Sequence, residues 1–253
     1  MNIFLWAALP YLTFAVLIGG LVWRYRYDQF HWTSRSSQLY ESKILRVASP
    51  LFHFAMLAVI AGHIMGLVIP KRWTDAMGIS QHNYHLVALI GGAIAGIAVV
   101  IGLVMLVYRR LTNASVRKAT TVGDKVMYVI LLCAVGLGMN ATLTGGHYPN
   151  GEEHNYRETV SIWFRSLFTL QPDIDSMVAS TWQFQTHVIM GLLLIAIIPF
   201  TRLVHIFAAP IHYLFRPYIV YRSRSTTPEV TQTKRGSGWD PVGTFDNEHA
   251  ANR

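Results

Sequence analysis

The sequence has little cysteine and little charge, and each shortage excludes a class of protein. The single cysteine, Cys133, rules out an internal disulfide and a metal site made only of cysteines. Charged residues are 13% of the chain and hydrophobic residues are 52%, whereas soluble domains carry about 25% charged residues. The composition therefore predicts an integral membrane protein. We attribute the net charge of +8 to basic loops on one membrane side rather than to nucleic-acid binding.

Five apolar segments are long enough to cross a bilayer, so we expect an all-α bundle of five transmembrane helices. The predicted spans are about 3–23, 50–69, 85–108, 126–143 and 182–206. Pro50 is expected in the first turn of the second helix, Pro70 should end that helix, and Pro199 should kink the fifth. The spans form a membrane domain of residues 1–221, which a polar tail of residues 222–253 follows.

The distribution of lysine and arginine predicts the orientation of the bundle. The loops after spans one and three carry ten of these residues, whereas the two loops on the opposite side carry four. Because basic loops stay in the cytoplasm, we expect the N-terminus outside and the C-terminus in the cytoplasm. The long loop before span five contains an aromatic stretch, 161–170, that is expected to form a helix at the membrane surface.

The second span carries the first sign of chemistry. No charged side chain lies between Pro50 and Pro70, and the strongly polar side chains there are His53 and His63. An imidazole inside a membrane is costly, so each is a functional-site hypothesis. A lone histidine in a membrane span is a hydrogen-bonded core residue about as often as it is a functional one. The fifth span, however, contains His187 and His205, and two pairs on two antiparallel helices favour metal ligation.

Topology predicts how these histidines pair. His63 and His187 fall towards the outside, and His53 and His205 fall towards the cytoplasm. Each pair is expected to give one haem b iron two axial imidazoles, which leaves no open position and favours electron transfer over oxygen binding. The helical rises differ, at roughly 15 Å between His53 and His63 and roughly 27 Å between His187 and His205. Helix tilt and the kink must absorb this difference.

Several short motifs carry a family resemblance. They are Ser36-Ser37-Gln38, Leu51-Phe52-His53, Gly62-His63, Arg109-Arg110-Leu111, Val116-Arg117, Ala119-Thr120-Thr121 with Gly123, His187 with Gly191, Pro199-Phe200, and Arg202-Leu203 with His205-Ile206. Over about residues 10–220 the chain resembles the gamma subunit of respiratory nitrate reductase, a membrane dihaem cytochrome b. The resemblance implies that quinol is oxidised near the outer haem and that electrons pass to the inner haem. They would then enter an iron–sulphur beta subunit and a molybdenum-containing alpha subunit that reduces nitrate, at the bacterial cytoplasmic membrane.

The resemblance also directs attention to further residues. His82 and His85 flank the outer start of span three, where a histidine suits the proton transfer of quinol oxidation; solvated loop histidines are the alternative. A family lysine can occupy the position of His85. Gly62 would let a quinone ring or a porphyrin approach the backbone. Arg110 and Arg202, at the inner ends of spans three and five, are candidates to bind haem propionates, with lipid phosphate contact as the alternative.

Two other functions stay open from the sequence. One is a dihaem quinol-oxidising subunit of a sulphite-related or heterodisulphide-type reductase. The other is a membrane anchor or transporter whose histidines bind no haem. The histidine spacings and loop motifs together favour the nitrate reductase subunit, with menaquinol and ubiquinol both possible as donors.

Overall fold

The computed structural model describes residues 1–32, 36–148, 150–151 and 154–208. Within these ranges the chain is helical and contains no β-strand. Five of its helices are long and apolar enough to cross a membrane: Phe4–Tyr27, Lys43–Val68, Gln81–Thr112, Val122–Thr144 and Trp182–Phe200. They confirm the predicted all-α bundle of five spans. The predicted tail, 222–253, lies outside the described residues.

The spans and their connections have the following bounds. The spans contain α1 (Leu9–Tyr27), α2 (Lys43–His63), α4 (Gln81–Thr112), α6 (Val122–Thr144) and α9 (Trp182–Ile197). Short π-helical segments, Phe4–Ala8 and Ile64–Val68, precede α1 and follow α2. The connecting helices are α3 (Lys71–Ala76), α5 (Ala114–Lys118), α7 (Val160–Phe168) and α8 (Ile174–Val178). A 3₁₀ turn, Gln29–His31, follows α1.

The second span begins earlier than its proline suggested. Helix α2 starts at Lys43, so Pro50 lies inside the helix and not in its first turn, and that expectation was wrong. The Glu41 carboxylate explains the early start, because it accepts a hydrogen bond from the backbone N–H of Ile44 (2.8 Å) and so caps the first turn. Pro70 does end the span: Ile69 is extended, and Pro70 itself precedes α3.

The fifth span breaks at its proline. Helix α9 ends at Ile197, a 3₁₀ turn covers Ile198–Phe200, and Thr201 has an extended backbone before a second 3₁₀ segment, Arg202–Ala208. A proline cannot donate the backbone hydrogen bond that would continue the helix, so a break is favoured here. His205 therefore lies on a different segment from His187, and the separation expected for one straight helix does not apply.

The order of packing brings the two histidine-bearing spans into one bundle. Helix α2 packs on α4, α4 on α6, α6 on α9, and α9 on α1. The α2–α4 contact is close because residue 102 is glycine: a Cβ on Gly102 would lie 2.8 Å from the backbone nitrogen of Phe52. We call the end of the bundle where α2 ends and α9 begins the His63 face, and the opposite end the His53 face.

The predicted aromatic helix is present as α7 on the His63 face, and one side of it packs into the bundle. Trp163 is buried against Trp6, and its indole N–H donates to the Trp6 carbonyl (2.7 Å). The Ser161 hydroxyl donates to the Gly66 carbonyl (2.7 Å). Both carbonyls belong to π-helical segments, where the regular α-helical hydrogen bonds are interrupted. Helix α7 thus stabilises the segment that directly follows His63.

Candidate functional site

The structure brings the four membrane histidines together in two pairs. The ring centres of His63 and His187 are 5.9 Å apart, with their planes at 43°. Those of His53 and His205 are 6.1 Å apart, with their planes at 66°. These are the pairs that the antiparallel topology predicted. The break at Pro199 is what allows the second pair to form despite the unequal spacing along the chain.

The hydrogen bonds of these histidines decide which ring nitrogen carries the proton. In all four, Nδ1 lies within hydrogen-bond distance of a backbone carbonyl oxygen. The partners of His53, His63, His187 and His205 are the carbonyls of Ser49 (2.7 Å), Val59 (2.8 Å), Ala134 (3.1 Å) and Arg202 (2.5 Å). A carbonyl oxygen only accepts hydrogen bonds, so Nδ1 is the protonated nitrogen and Nε2 keeps its lone pair. Metal-binding histidines typically have this arrangement.

The ring separations also suit a metal that both rings share. A metal–imidazole bond is about 2 Å long. The centre of an imidazole lies roughly 1 Å beyond the bonded nitrogen, so two rings on opposite sides of one iron have centres about 6 Å apart. The two observed separations have this value. Each pair could therefore hold one haem iron between two Nε2 atoms.

Helix α6 forms a close wall against His187. A Cβ on Gly138 would lie 2.9 Å from Cε1 of His187, and the Ala134 carbonyl one turn earlier accepts the Nδ1 hydrogen bond. The imidazole is thus fixed by one hydrogen bond and by a contact that only glycine permits. The residue beside His63 is different, since no atom lies within 4 Å of a Cβ placed on Gly62.

A large cavity opens beside His53 and His205. Its volume is about 540 Å³, within the range of small-molecule and cofactor sites. Leucine, phenylalanine and methionine side chains provide much of its wall, and four arginines also line it: Arg46, Arg109, Arg110 and Arg202. Among the described residues no carboxylate lines the cavity. It therefore suits a flat apolar group that carries negative charge at its edge.

One ion pair anchors the segment that carries His205. The guanidinium of Arg202 donates to both carboxylate oxygens of Asp124, at 2.8 and 2.6 Å. The same carboxylate accepts from the backbone N–H of Thr121 and so completes a capping box at the start of α6. Since the Arg202 carbonyl also accepts the hydrogen bond of His205, the ion pair connects α6 to the position of this imidazole.

The two buried arginines of the cavity, Arg109 and Arg110, differ in their partners. Arg109 is 1% exposed and is paired with the Glu41 carboxylate, and it also donates to Ser37. Arg110 is 8% exposed and donates to the hydroxyls of Tyr128 (2.9 Å) and Thr120 (3.0 Å). Within the described ranges Arg110 has no carboxylate partner. The positive charge of Arg109 is therefore compensated by the protein, and that of Arg110 is not.

The candidate quinol residues lie at the start of α4 on the His63 face. His82 and His85 are both exposed. His85 lies beside the turn that follows α6, since a Cβ on Gly146 would be 3.3 Å from its Cε1. No described hydrogen bond holds either imidazole, so both are free to interact with a ligand or with water. Their quinol role, like that of Gly62, stays a prediction.

A buried polar cluster on the same face was not predicted from the sequence. Tyr156 stacks on Phe184, and its hydroxyl is 3.5 Å from that of Tyr84. Arg157 is 2% exposed; its guanidinium lies over the Tyr84 ring and donates to Thr74 (2.9 Å). Burial and the hydrogen bond shared with Tyr84 raise the pKa of Tyr156, and its hydroxyl stays protonated at neutral pH. The cluster ties the long loop before α9 to the starts of α3 and α4.

His154 has a structural role in this loop. Its Nδ1 donates to the Gly145 carbonyl (3.0 Å), and its Nε2 is 2.9 Å from the Thr159 hydroxyl. Both ring nitrogens are therefore occupied, in contrast to the four membrane histidines. Burial lowers the pKa of His154, although the hydrogen bond to Gly145 acts in the opposite direction.

Some of the supporting residues left a signal in the sequence that our prediction did not use. Ser49 precedes His53 by four residues and Arg46 precedes it by seven, so all three share one face of a helix. The spacing of Thr121 and Asp124 resembles a capping box. Gly138 left no such signal, because a glycine inside an apolar helix has many possible explanations.

Comparison with known proteins identifies the family. The family described as "Nitrate reductase gamma subunit" matches residues 2–224. The chain is 41% identical to the nitrate reductase gamma chain of Bacillus subtilis over 221 residues, which are 87% of this chain and 98% of that one. It is 33% identical to the respiratory nitrate reductase 2 gamma chain of Escherichia coli, over 88% of this chain and 98% of that one.

A longer relative shares the same region. The chain is 54% identical over 235 residues to the nitrate reductase-like protein NarX of Mycobacterium tuberculosis strain H37Rv, which is 92% of this chain. It spans about a third of the length of that relative (35%). The resemblance seen in the motifs is thereby confirmed over nearly the full chain: this protein belongs to the nitrate reductase gamma subunit family.

Proposed function

We propose that this chain is the haem-binding, quinol-oxidising membrane subunit of a nitrate reductase complex. One observation carries the proposal above all others. Two pairs of histidines lie at opposite ends of an apolar bundle, and the ring centres of each pair are about 6 Å apart. Every Nδ1 is bound to a carbonyl oxygen, and no described hydrogen bond occupies Nε2, which is therefore available to a metal. His63 and His187 would ligate one haem b, and His53 and His205 would ligate the second.

Haem supplies reversible one-electron transfer when it is bound. The chain's own residues set the conditions for it. An iron held by two imidazoles would have no position left for oxygen or substrate, so each pair would restrict its haem to electron transfer. The carbonyl partners fix the four rings in the orientation that presents Nε2.

Two such sites at opposite ends of the bundle provide a path for electrons across the membrane. In the proposed orientation the His63 face is outside and the His53 face is in the cytoplasm of a bacterial cell. Electrons would leave quinol at the His63 face and reach an iron–sulphur beta subunit at the His53 face, which passes them to a molybdenum-containing alpha subunit that reduces nitrate. Crossing the membrane field is worth about 2.3 kcal/mol per elementary charge and 100 mV.

Quinol, either menaquinol or ubiquinol, would bind at the His63 face. His82 and His85 are exposed imidazoles at this end of the bundle, and either can accept a proton as quinol is oxidised. The open space beside Gly62 leaves room for a ring next to His63. At the His53 face, Arg110 and Arg202 are the arginines that the sequence indicated for haem propionates. Arg202 is held by Asp124, so we assign it mainly to fixing the His205 segment.

The proposal is tested on membranes that contain the full chain together with its partner subunits. Reduced-minus-oxidised spectra are recorded after addition of a quinol and again after addition of nitrate. We expect a b-type signal from two haems that quinol reduces and nitrate oxidises. His85→Ala should slow reduction by quinol, whereas His147→Ala, an exposed histidine on the same face, should not. Absence of any b-type signal in the wild type would refute the proposal and favour an anchor or transporter.

A further inference from the structure

Of the four arginines around the cavity at the His53 face, two are paired with a carboxylate and two are not. Arg109 and Arg202 each form an ion pair with a carboxylate, that of Glu41 and that of Asp124. Within the described part of the chain Arg46 and Arg110 have no carboxylate partner. The cavity wall thus presents two uncompensated positive charges and no negative one.

We propose that Arg46 and Arg110 each bind one of the two propionate carboxylates of the haem that His53 and His205 ligate. The inference rests on the proposed function, because it requires that haem occupies this cavity. It adds Arg46, which the sequence motifs did not indicate, and it replaces Arg202 as a propionate ligand. The two uncompensated positive charges of the cavity wall then match the negative charge of the two carboxylates.

The position of Arg46 on α2 supports this assignment. Seven residues separate Arg46 from His53, which is close to two helical turns, so the two side chains share one face about 10 Å apart along the axis. Ser49 lies between them on that face, and its hydroxyl is 3.3 Å from Nδ1 of His53. All three residues line the cavity. A carboxylate at the cytoplasmic edge of a ring held by His53 would therefore lie near Arg46.

Burial supports the assignment of Arg110. A buried cation without a counter-charge is costly, whereas the same cation paired with a carboxylate is tolerated. Arg110 uses Nε and one Nη for the hydroxyls of Tyr128 and Thr120. A guanidinium has five N–H donors, so donors remain for a carboxylate. The two hydroxyls hold the guanidinium in place, and the missing partner is negative charge.

Arg46 allows the cleaner test, because it is exposed and substituting it leaves the packing of the bundle intact. The full complex is prepared with Arg46→Gln, Arg46→Lys and Lys43→Gln. Lys43 is an exposed cation at the start of the same helix and does not line the cavity. The readout is a spectroscopic redox titration of both haems at several pH values, with His205→Ala identifying the component at the His53 face.

A positive charge beside a propionate favours the reduced haem, so its loss should lower the reduction potential. In Arg46→Gln we expect the affinity of this haem for its electron to fall about tenfold, which is about 59 mV for a one-electron couple. The released carboxylate should also make the potential depend more strongly on pH. Arg46→Lys should keep most of the wild-type potential, and the other haem should not change in any variant.

The outcomes separate the inference from the proposed function. Equal potentials in Arg46→Gln and Lys43→Gln would overturn the assignment of Arg46 while leaving the haem subunit intact. If Arg46→Gln lacks this haem but Arg46→Lys and Lys43→Gln retain it, the charge pairing is supported. If both Arg46 variants lack this haem while Lys43→Gln retains it, the charge pairing is overturned. A wild-type complex without b-type haem would refute the proposed function itself.

Discussion

Adding a single methyl group at Gly138 should remove one haem while leaving the bundle folded. The Cβ of Gly138→Ala would lie 2.9 Å from Cε1 of His187. Carbon atoms in contact are about 3.5–4.0 Å apart, so the imidazole must withdraw by about 0.6 Å or more. Its Nδ1 is bound to the Ala134 carbonyl on the same helix, and that hydrogen bond, worth about 1 kcal/mol, opposes the movement.

The displacement matters more for the metal than for the fold. Overpacking of this kind destabilises a fold by about 1–3 kcal/mol. Here the cost is smaller, because the imidazole is at the end of a flexible side chain and can move away. The bond between a metal and its ligand, in contrast, allows a change in length of only about 0.2 Å. We therefore expect Gly138→Ala to assemble at normal levels and to lose the b-type component that His63 and His187 would ligate. Haem per polypeptide should fall to half.

The same helix offers a matched control. Gly136 has no atom within 4 Å of a Cβ placed on it, so Gly136→Ala adds the same methyl group without touching His187. It should retain both haems. If Gly138→Ala keeps both haems with the spectrum and potentials of Gly136→Ala, the reasoning about the position of His187 is refuted.

Three further predictions concern the support of the two sites. Gly102→Ala would bring a methyl group against the backbone of α2 and should remove the haem at the His53 face. Gly91→Ala, in the same helix, adds a methyl group with no atom within 4 Å and should keep this haem. Reduced-minus-oxidised spectra compare the two variants. Arg202→Gln leaves the Asp124 carboxylate without its bidentate partner and loosens the His205 segment, so the haem at the His53 face should be lost and the other haem retained. Arg202→Lys should restore the lost haem only in part, because lysine does not form a bidentate pair. Normal haem content in Arg202→Gln would contradict this prediction. Because burial lowers the pKa of His154, the unfolded chain binds its proton more tightly, so the contribution of this histidine to stability should be complete above pH 6.5 and decrease as pH falls below it. Thermal unfolding in detergent should show this decrease in the wild type and a weaker one in His154→Gln, and equal pH profiles would count against it.

The arrangement of spans could be predicted because each apolar segment carries its own signal. Length and hydropathy found all five helices, and the antiparallel order then paired His63 with His187 and His53 with His205. The ends of the helices were predicted less well. Pro50 was assigned to a first turn because proline favours that position, but the Glu41 side chain caps an earlier start. A cap of this kind depends on a tertiary neighbour, Arg109, which the local pattern does not contain.

The supporting contacts of the site were harder to predict for a similar reason. The break after Ile197 was expected only as a kink, because the extended residue at position 201 depends on where the following segment is anchored. That anchor is the pair of Asp124 with Arg202, which are 78 positions apart. A close approach such as that of Gly138 to His187 arises from two helices packing together. Sequence patterns can therefore predict the ligand histidines, but the neighbours that fix their positions are determined by how the helices pack.

If two histidine pairs each hold one haem, variants that lack both ligands of a pair should lose one haem. Membranes with the double variant His63→Ala and His187→Ala, and with the double variant His53→Ala and His205→Ala, are analysed for b-type haem per polypeptide by reduced-minus-oxidised spectra. We expect each double variant to lose one b-type component and keep the other, and the two retained components to differ in reduction potential. Retention of both haems in either double variant would contradict it.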